Sequence, residues 1–152
     1  MTGCVGGAKK PDAIHDGDTF TILTKEKKQV KVRFHGIDCP ELGQDYGRKA
    51  KDFVSAMSFG KTVSIKENGY DRYGRLIGII YLPDKTILNE LLLVNGLAWH
   101  YKKYDSNPKW AKLEKKARKA KVGLWSMSTA IPPWDYRHPK KRIIDETGGK
   151  IP

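Results

Sequence analysis

Carboxylate and guanidinium side chains are concentrated in three short stretches of this chain, residues 15–19, 33–41 and 71–75. Carboxylate oxygens are the ligands that Ca²⁺ and Mg²⁺ prefer. An arginine binds a phosphate through a planar fork of donors that lysine does not have. If these stretches meet in one pocket, they would hold a divalent cation beside a phosphate diester, and the combined positive charge would let a nucleophile attack the phosphorus.

Each residue taken singly also has an ordinary explanation. The Asp-Gly-Asp turn that ends at Asp18 is a common turn sequence, and Asp38 could cap the loop that follows it. Arg33 could pair with a carboxylate of the protein itself. The sequence has no cysteine–histidine cluster at a zinc-binding spacing, so the acids favour a hard cation over zinc.

The charge balance favours a polyanionic partner. The 152 residues include 29 lysines and arginines against 17 acids, which gives a net charge of +12. Such a charge favours nucleic acid first and an anionic membrane surface second, because binding releases counterions. A basic surface without a dedicated partner is the third interpretation. Stacking on exposed aromatic rings would add affinity for unpaired bases.

The two cysteines, Cys4 and Cys39, do not form a disulfide framework. Thr2-Gly3-Cys4 is similar to the end of a bacterial lipoprotein signal, so one interpretation is an acylated Cys4 that tethers the protein to a membrane outside the cytoplasm. A free thiol near an arbitrary start is the alternative. No apolar run approaches the ~20 residues that span a bilayer.

Hydrophobic periodicity predicts an α+β fold with strands early in the chain and helices between and after them. We expect a small closed antiparallel barrel with about three helices packed on it. Residues 1–11 are predicted to be a flexible segment, residues 12–126 a single domain, and residues 127–152 a tail rich in proline and basic residues. No protein partner is evident, and we expect a monomer. The predicted strands are 20–23, 30–34, 62–66 and 76–82, and the predicted helices are 44–59, 88–95 and 108–122.

The ordered motifs resemble the staphylococcal nuclease family over about residues 14–125. The motifs are Asp-Gly-Asp-Thr at 16–19, Arg-Phe-His-Gly-Ile-Asp-Cys-Pro-Glu at 33–41, and Tyr-Asp-Arg-Tyr-Gly-Arg at 70–75. The resemblance implies a five-stranded OB-fold barrel. It also implies Ca²⁺-dependent cleavage of DNA and RNA that leaves a 3′-phosphate and a 5′-hydroxyl. A noncatalytic OB-fold module that binds nucleic acid is the alternative, but its affinity would gain nothing from acids that face a phosphate.

The resemblance also implies a role for individual residues. Asp18, Asp38 and the backbone carbonyl of Cys39 would be ligands of Ca²⁺, and Asp16 would lie beside them without binding the cation. Glu41 would orient or deprotonate the attacking water. The other implied roles are phosphate binding and charge stabilisation for Arg33 and Arg75, and nucleotide contact for Tyr73, Tyr101 and Tyr104.

Overall fold

The computed structural model describes residues 9–139 together with two short strands near the C-terminus. Cys4 and part of the predicted tail lie outside the described residues, so lipid attachment and a location outside the cytoplasm stay predictions. Among the helices that the structure describes, none has the length and apolar character needed to cross a membrane. The strands are β1 (Lys10–Asp16), β2 (Thr19–Leu23), β3 (Gln29–Phe34), β4 (Ile37–Asp38), β5 (Ser64–Tyr70), β6 (Leu76–Tyr81), β7 (Trp99–His100), β8 (Ile143–Ile144) and β9 (Lys150–Ile151). The helices are α1 (Gly47–Ser58), α2 (Leu88–Val94), α3 (Pro108–Ala120) and α4 (Pro133–Arg137), with a 3₁₀ turn at Gly123–Ser126.

Five strands form the main sheet in the order β1-β2-β3-β6-β5, and the α+β prediction is confirmed. The closed antiparallel barrel is not observed, because β3 and β6 pair in parallel and the sheet stays open between β1 and β5. These edges meet at a bridge between Lys9 and Val63 and at a hydrogen bond from the Gly60 N–H to the Pro11 carbonyl, 2.9 Å. Pro11 has no N–H to donate on this side, so the ladder is interrupted there.

The N-terminal strand β1 is not among the strands that the sequence predicts. Lys10 and Pro11 belong to β1, although both fall in the segment that was predicted to be flexible. The C-terminal part also differs, since α4 lies in the region predicted as a tail. The three predicted helices are present, although α1 begins at Gly47, three residues later than predicted.

The core lies between the sheet and helices α1 and α2. Alternate residues of β2 and β3 point inward, and the rings of Phe20 and Phe34 meet edge to face with 4.8 Å between centroids. Helix α1 buries Ala50 and Val54 against this layer. Burial of such side chains supplies about 1.5–3 kcal/mol each, so this layer fixes the strand ends that carry the acids.

Buried Asn89 links helix α2 to the segment that leads to β4. Its Oδ1 accepts a hydrogen bond from the Ile80 N–H at 2.9 Å, and its Nδ2 donates to the His35 carbonyl at 3.0 Å. Because the side chain is fully buried, no solvent water could take its place as the hydrogen-bond partner of these backbone groups. Asn89 therefore holds the turn that leads from β3 into β4, the strand that carries Asp38.

We expect Asn89→Ala to lower the free energy of unfolding by about 2–4 kcal/mol, because buried backbone groups lose their partner. Urea denaturation followed by circular dichroism measures the change. Asn95→Ala is the control, since Asn95 is only half-buried and donates to a single helix carbonyl. Equal losses in the two variants would contradict the role given to Asn89.

Candidate active site

The turn between β1 and β2 places Asp18 in the interior. Gly17 makes this possible, because a Cβ at this position would lie 2.6 Å from the Ala50 Cβ and 2.9 Å from the Cys39 Cβ. Asp18 is 5% exposed, and its Oδ2 accepts a hydrogen bond from the Cys39 N–H at 2.7 Å. The turn therefore packs directly on the loop that follows β4.

Arg33 joins the two central acids. Its Nη2 lies 3.2 Å from Asp38 Oδ1, and its Nη1 lies 3.6 Å from Asp18 Oδ2. The same Nη1 donates to the carbonyls of Phe34 and Ile37 at 2.8 and 2.9 Å. These backbone contacts fix the guanidinium within the acid cluster, so Arg33, Asp18 and Asp38 converge as the sequence predicts.

The acids are crowded enough to change one another's ionisation. Burial, the negative charge of Asp18 and a hydrogen bond to Asp18 raise the pKa of Asp16 to about 7. Burial also acts to raise the pKa of Asp18, but the Arg33 charge and hydrogen bonds from Cys39, Asp16 and Thr19 outweigh it and lower this pKa. The pair thus shares its charge unequally, with Asp18 ionised and Asp16 protonated below about pH 7.

Asp38 is fully buried in β4, opposite Trp99 of β7. Burial raises its pKa to about 6 with help from the charge of Asp18, although Arg137 and Arg33 both oppose the rise. Burial also raises the pKa of the neighbouring Cys39 thiol, which is therefore uncharged. Cys39 contributes its backbone N–H to the cluster, as the hydrogen bond to Asp18 shows.

Glu41 lies at the start of the loop that leads into α1. Its N–H donates to Gln44 Oε1 at 3.0 Å, and its own carbonyl accepts the Gln44 N–H at 2.8 Å. Gly47 allows helix α1 to begin against this loop, because a Cβ there would lie within 1.9 Å of the Glu41 carbonyl oxygen. The loop is therefore compact. The Glu41 carboxylate lies at the edge of the acid cluster, where it accepts a hydrogen bond from Arg137.

Arg137, at the end of α4, is the site residue that sequence reasoning missed. Its Nη2 lies 2.6 Å from Asp38 Oδ2, and its Nη1 donates to Asp38 Oδ1 at 3.1 Å and to Glu41 Oε2 at 2.8 Å. Charged contacts at these distances are the strong class of hydrogen bonds. The one signal in the sequence is Pro132-Pro133-Trp134, which starts a helix and supplies an aromatic ring just before the basic run.

Arg75 and Tyr73 form a second group in the turn between β5 and β6. Arg75 Nε lies 2.7 Å from Asp71 Oδ2, while Asp71 Oδ1 accepts the N–H groups of Tyr73 and Arg75, each at 2.9 Å. Burial opposes ionisation of Asp71, but these bonds outweigh it and lower its pKa. Within residues 9–139, no ion pair joins Arg75 to the Asp18–Asp38 cluster, and its guanidinium pairs with Asp71 instead.

Tyr101 and Tyr104 lie on an aromatic surface near the site. Their rings meet edge to face with centroids 4.8 Å apart, and Tyr104 is 60% exposed. The other neighbour of Tyr101 is Trp134, whose ring stacks parallel to it with 5.1 Å between centroids. One face of Tyr101 is therefore already covered by a ring from the C-terminal part of the chain, and Tyr73, 68% exposed, is the most open of the predicted nucleotide contacts.

With this geometry established, comparisons with known proteins decide the family. The sequence pattern described as "Staphylococcal nuclease homologue" matches residues 31–127, which is more than half of the chain. The chain belongs to the staphylococcal nuclease family. The matched region contains Arg33, Asp38, Glu41 and Arg75, while Asp18 and Arg137 lie outside it.

Named relatives agree with this assignment to the staphylococcal nuclease family. A protein of Escherichia coli O157:H7 named "Uncharacterized endonuclease" is 41% identical over 125 residues, which cover 82% of this chain and 81% of the relative. A "Micrococcal nuclease" of Shigella flexneri is 34% identical over 142 residues, with 87% and 81% covered. A staphylococcal-like nuclease of Arabidopsis thaliana is 41% identical over 114 residues, but these cover only 35% of that protein.

The acid cluster suits a hard divalent cation such as the one the family resemblance implies. Asp16, Asp18, Asp38 and Glu41 outnumber the guanidinium groups of Arg33 and Arg137, and burial together with the charge of Asp18 raises the pKa of both Asp16 and Asp38. In the part of the chain that the structure describes, no group of three or more Asp, Glu, His or Cys side chains is arranged so that it could hold a metal ion. Ca²⁺ takes 6–8 oxygens, so backbone and water would supply the rest.

Asp16→Asn tests this electrostatic picture in the presence of a chelator. A carboxyl whose pKa is raised in the folded state binds its proton more tightly there, so its contribution to stability is lost as pH rises from about 4 to about 7. An asparagine has no proton to lose and still accepts the Asp18 N–H. We expect the variant to match the wild type near pH 4.5 and to exceed it by about 1 kcal/mol or more at pH 8.

Urea unfolding at the two pH values measures the difference. Asp12→Asn, which changes an exposed acid on the same strand, is the control and should show no such pH dependence. An Asp16→Asn variant that is no more stable than the wild type at pH 8 would show that Asp16 is not under electrostatic strain.

Proposed function

We propose that this chain is a metal-dependent endonuclease that hydrolyses phosphodiester bonds of DNA and RNA with little sequence specificity. The observation that carries the proposal is the convergence of Asp18, Asp38 and Arg33 beside Glu41. A pure binding module would lose affinity through buried acids that face a phosphate. The names of the relatives, endonuclease and micrococcal nuclease, support the same reaction class.

Ca²⁺ is the cation we propose, held by the carboxylates of Asp18 and Asp38 and by the Cys39 carbonyl. When bound, it would neutralise phosphate charge and polarise the scissile group. The chain's own contribution is to keep these oxygens together. Arg33 does so in the described structure, because it contacts both carboxylates at once.

The remaining roles follow from the position of each side chain. Glu41 is partly exposed at the rim of the cluster, so a water in line with the phosphorus can reach its carboxylate as orienter or base. Arg33 would donate its fork to a phosphate oxygen as charge develops there. Arg75 would turn from Asp71 to the leaving oxygen when substrate enters the site, and the products would carry a 3′-phosphate and a 5′-hydroxyl.

The surface supports a nucleic-acid substrate. The net charge of +12 attracts a polyanion over a distance set by the ionic strength. Tyr73 and Tyr104 present exposed rings on which unpaired bases can stack. These features do not select a sequence, which fits a nuclease of broad specificity.

We expect plasmid DNA, single-stranded DNA and RNA to be cleaved with added Ca²⁺ and spared in EGTA, because the acids repel the phosphate without a cation. Gel assays across Ca²⁺ and Mg²⁺ titrations measure cleavage, and mass spectrometry of oligonucleotide products identifies the ends. Undiminished cleavage in EGTA would reject the metal requirement. Tight DNA binding without cleavage in either metal would assign the chain to the noncatalytic class.

Arg33→Lys and Arg75→Ala should each lower kcat on the order of 10²-fold, because each removes a fork that binds transition-state charge. Arg33→Lys keeps a positive charge between the acids, which protects the fold. Single-turnover kinetics with saturating DNA measure the effect. Arg48→Ala is the matched control, since Arg48 is 75% exposed and pairs with Asp52 on helix α1. Near-normal rates in both test variants would remove these arginines from the reaction.

A further inference from the structure

The guanidinium of Arg137 lies against Asp38, one of the carboxylates that we propose as metal ligands. It binds both oxygens of Asp38, through Nη1 at 3.1 Å and Nη2 at 2.6 Å. Its Nη1 also reaches Glu41 Oε2 at 2.8 Å. The carboxylate we assign to the metal and the carboxylate we assign to the water are thus tied together by one side chain.

The position of Arg137 is fixed by the segment that carries it. This docking segment, residues 131–137, is held at its start by a hydrogen bond from Gln44 Nε2 to the Ile131 carbonyl, 2.9 Å. In its middle, the Trp134 ring stacks on Tyr101 and meets Trp99 edge to face with 5.5 Å between centroids. Arg137 completes the contact at the end of α4. Three successive attachments distinguish this arrangement from an isolated ion pair on the surface, which contributes little.

Arg33 and Arg137 differ in what else they hold. Arg33 also donates to two backbone carbonyls, so it keeps partners if one carboxylate is withdrawn. Among the described residues, the hydrogen bonds of the Arg137 guanidinium all go to Asp38 and Glu41. Its side chain is 30% exposed, twice the 15% of Arg33. Arg137 is therefore the arginine that can leave the cluster toward solvent.

We propose that Arg137 is the resident cation of the metal-free site, and that a divalent cation must displace its guanidinium from Asp38 in order to bind. Asp38 Oδ1 already receives both Arg33 Nη2 at 3.2 Å and Arg137 Nη1 at 3.1 Å, and Oδ2 receives Arg137 Nη2 at 2.6 Å. A cation on this carboxylate would therefore compete with Arg137 for the same oxygens. The docking segment would then set the metal affinity of the site. It would also keep Glu41 paired until a cation arrives. This inference rests on the proposed function, since it takes Asp38 as a metal ligand.

Isothermal titration of Ca²⁺, and separately of Mg²⁺, into the metal-free full chain tests the exclusion directly. Arg137→Ala should bind Ca²⁺ on the order of ten-fold more tightly than the wild type, because no competitor remains on Asp38. Arg137→Gln, which keeps a donor without the charge, should also bind more tightly. Arg48→Ala, with an exposed arginine on helix α1, should bind as the wild type does.

Thermal unfolding separates competition from a merely structural role. In EGTA, Arg137→Ala should have a lower Tm than the wild type, because Asp38 and Glu41 lose their partner. In excess Ca²⁺ that deficit should largely disappear, because the cation replaces the guanidinium. An equal deficit in EGTA and Ca²⁺ would make Arg137 a structural residue and overturn the inference, as would an unchanged or weaker Ca²⁺ affinity in both Arg137 variants.

These measurements separate failure of the Arg137 inference from failure of the proposed nuclease function. A wild type that cleaves DNA with Ca²⁺, alongside Arg137 variants of unchanged Ca²⁺ affinity, would overturn this inference and leave the nuclease intact. Tighter Ca²⁺ binding by both variants, with no cleavage by any form of the protein, would support the exclusion and reject the nuclease. Failure of every form to bind Ca²⁺ or Mg²⁺ would overturn the inference, because Asp38 would then hold no metal.

Discussion

The whole arrangement depends on the repulsion between buried carboxylates that the fold forces together. Asp18 and Asp38 come from strand ends that are distant in sequence, and both carboxylates are buried. Arg33 lowers the electrostatic repulsion between the two carboxylates, because its guanidinium contacts both and is itself held by backbone carbonyls. A buried charge without such a partner costs several kcal/mol. Added positive charge would relieve this repulsion further, and this is the physical basis on which we propose a divalent cation for the site.

Local patterns in the sequence predicted much of the fold. Strand alternation predicted β2 and β3, and helical periodicity predicted α3, which begins at Pro108 as expected, with Asn107 Oδ1 accepting the Lys109 N–H at 2.9 Å. β1 escaped prediction because Pro11 and its polar neighbours break the alternation. The prediction of a closed barrel was wrong, because hydrogen bonding between sheet edges depends on tertiary contacts that no local pattern records.

The candidate site was predictable where its residues share motifs and unpredictable where they do not. The order of acids and arginines placed Asp18, Arg33 and Asp38 in one cluster, and the structure confirms that these three meet. Arg137 approaches Asp38 across 99 residues of chain, and its position depends on how Trp134 packs against Tyr101. Such contacts arise from shape complementarity between side chains, and a single sequence carries no periodic signal for them.

The open seam of the sheet has a mechanical consequence. β1 is joined to the far edge by only a few backbone contacts near Lys9 and Pro11, while its other end carries Asp16 into the acid cluster. Local opening of such an edge requires far less free energy than unfolding the whole domain. β1 also pairs with β2 from Lys10 to Asp16. Parting of the seam would therefore separate the two edges of the sheet, while the turn that carries Asp16 stays attached through β2.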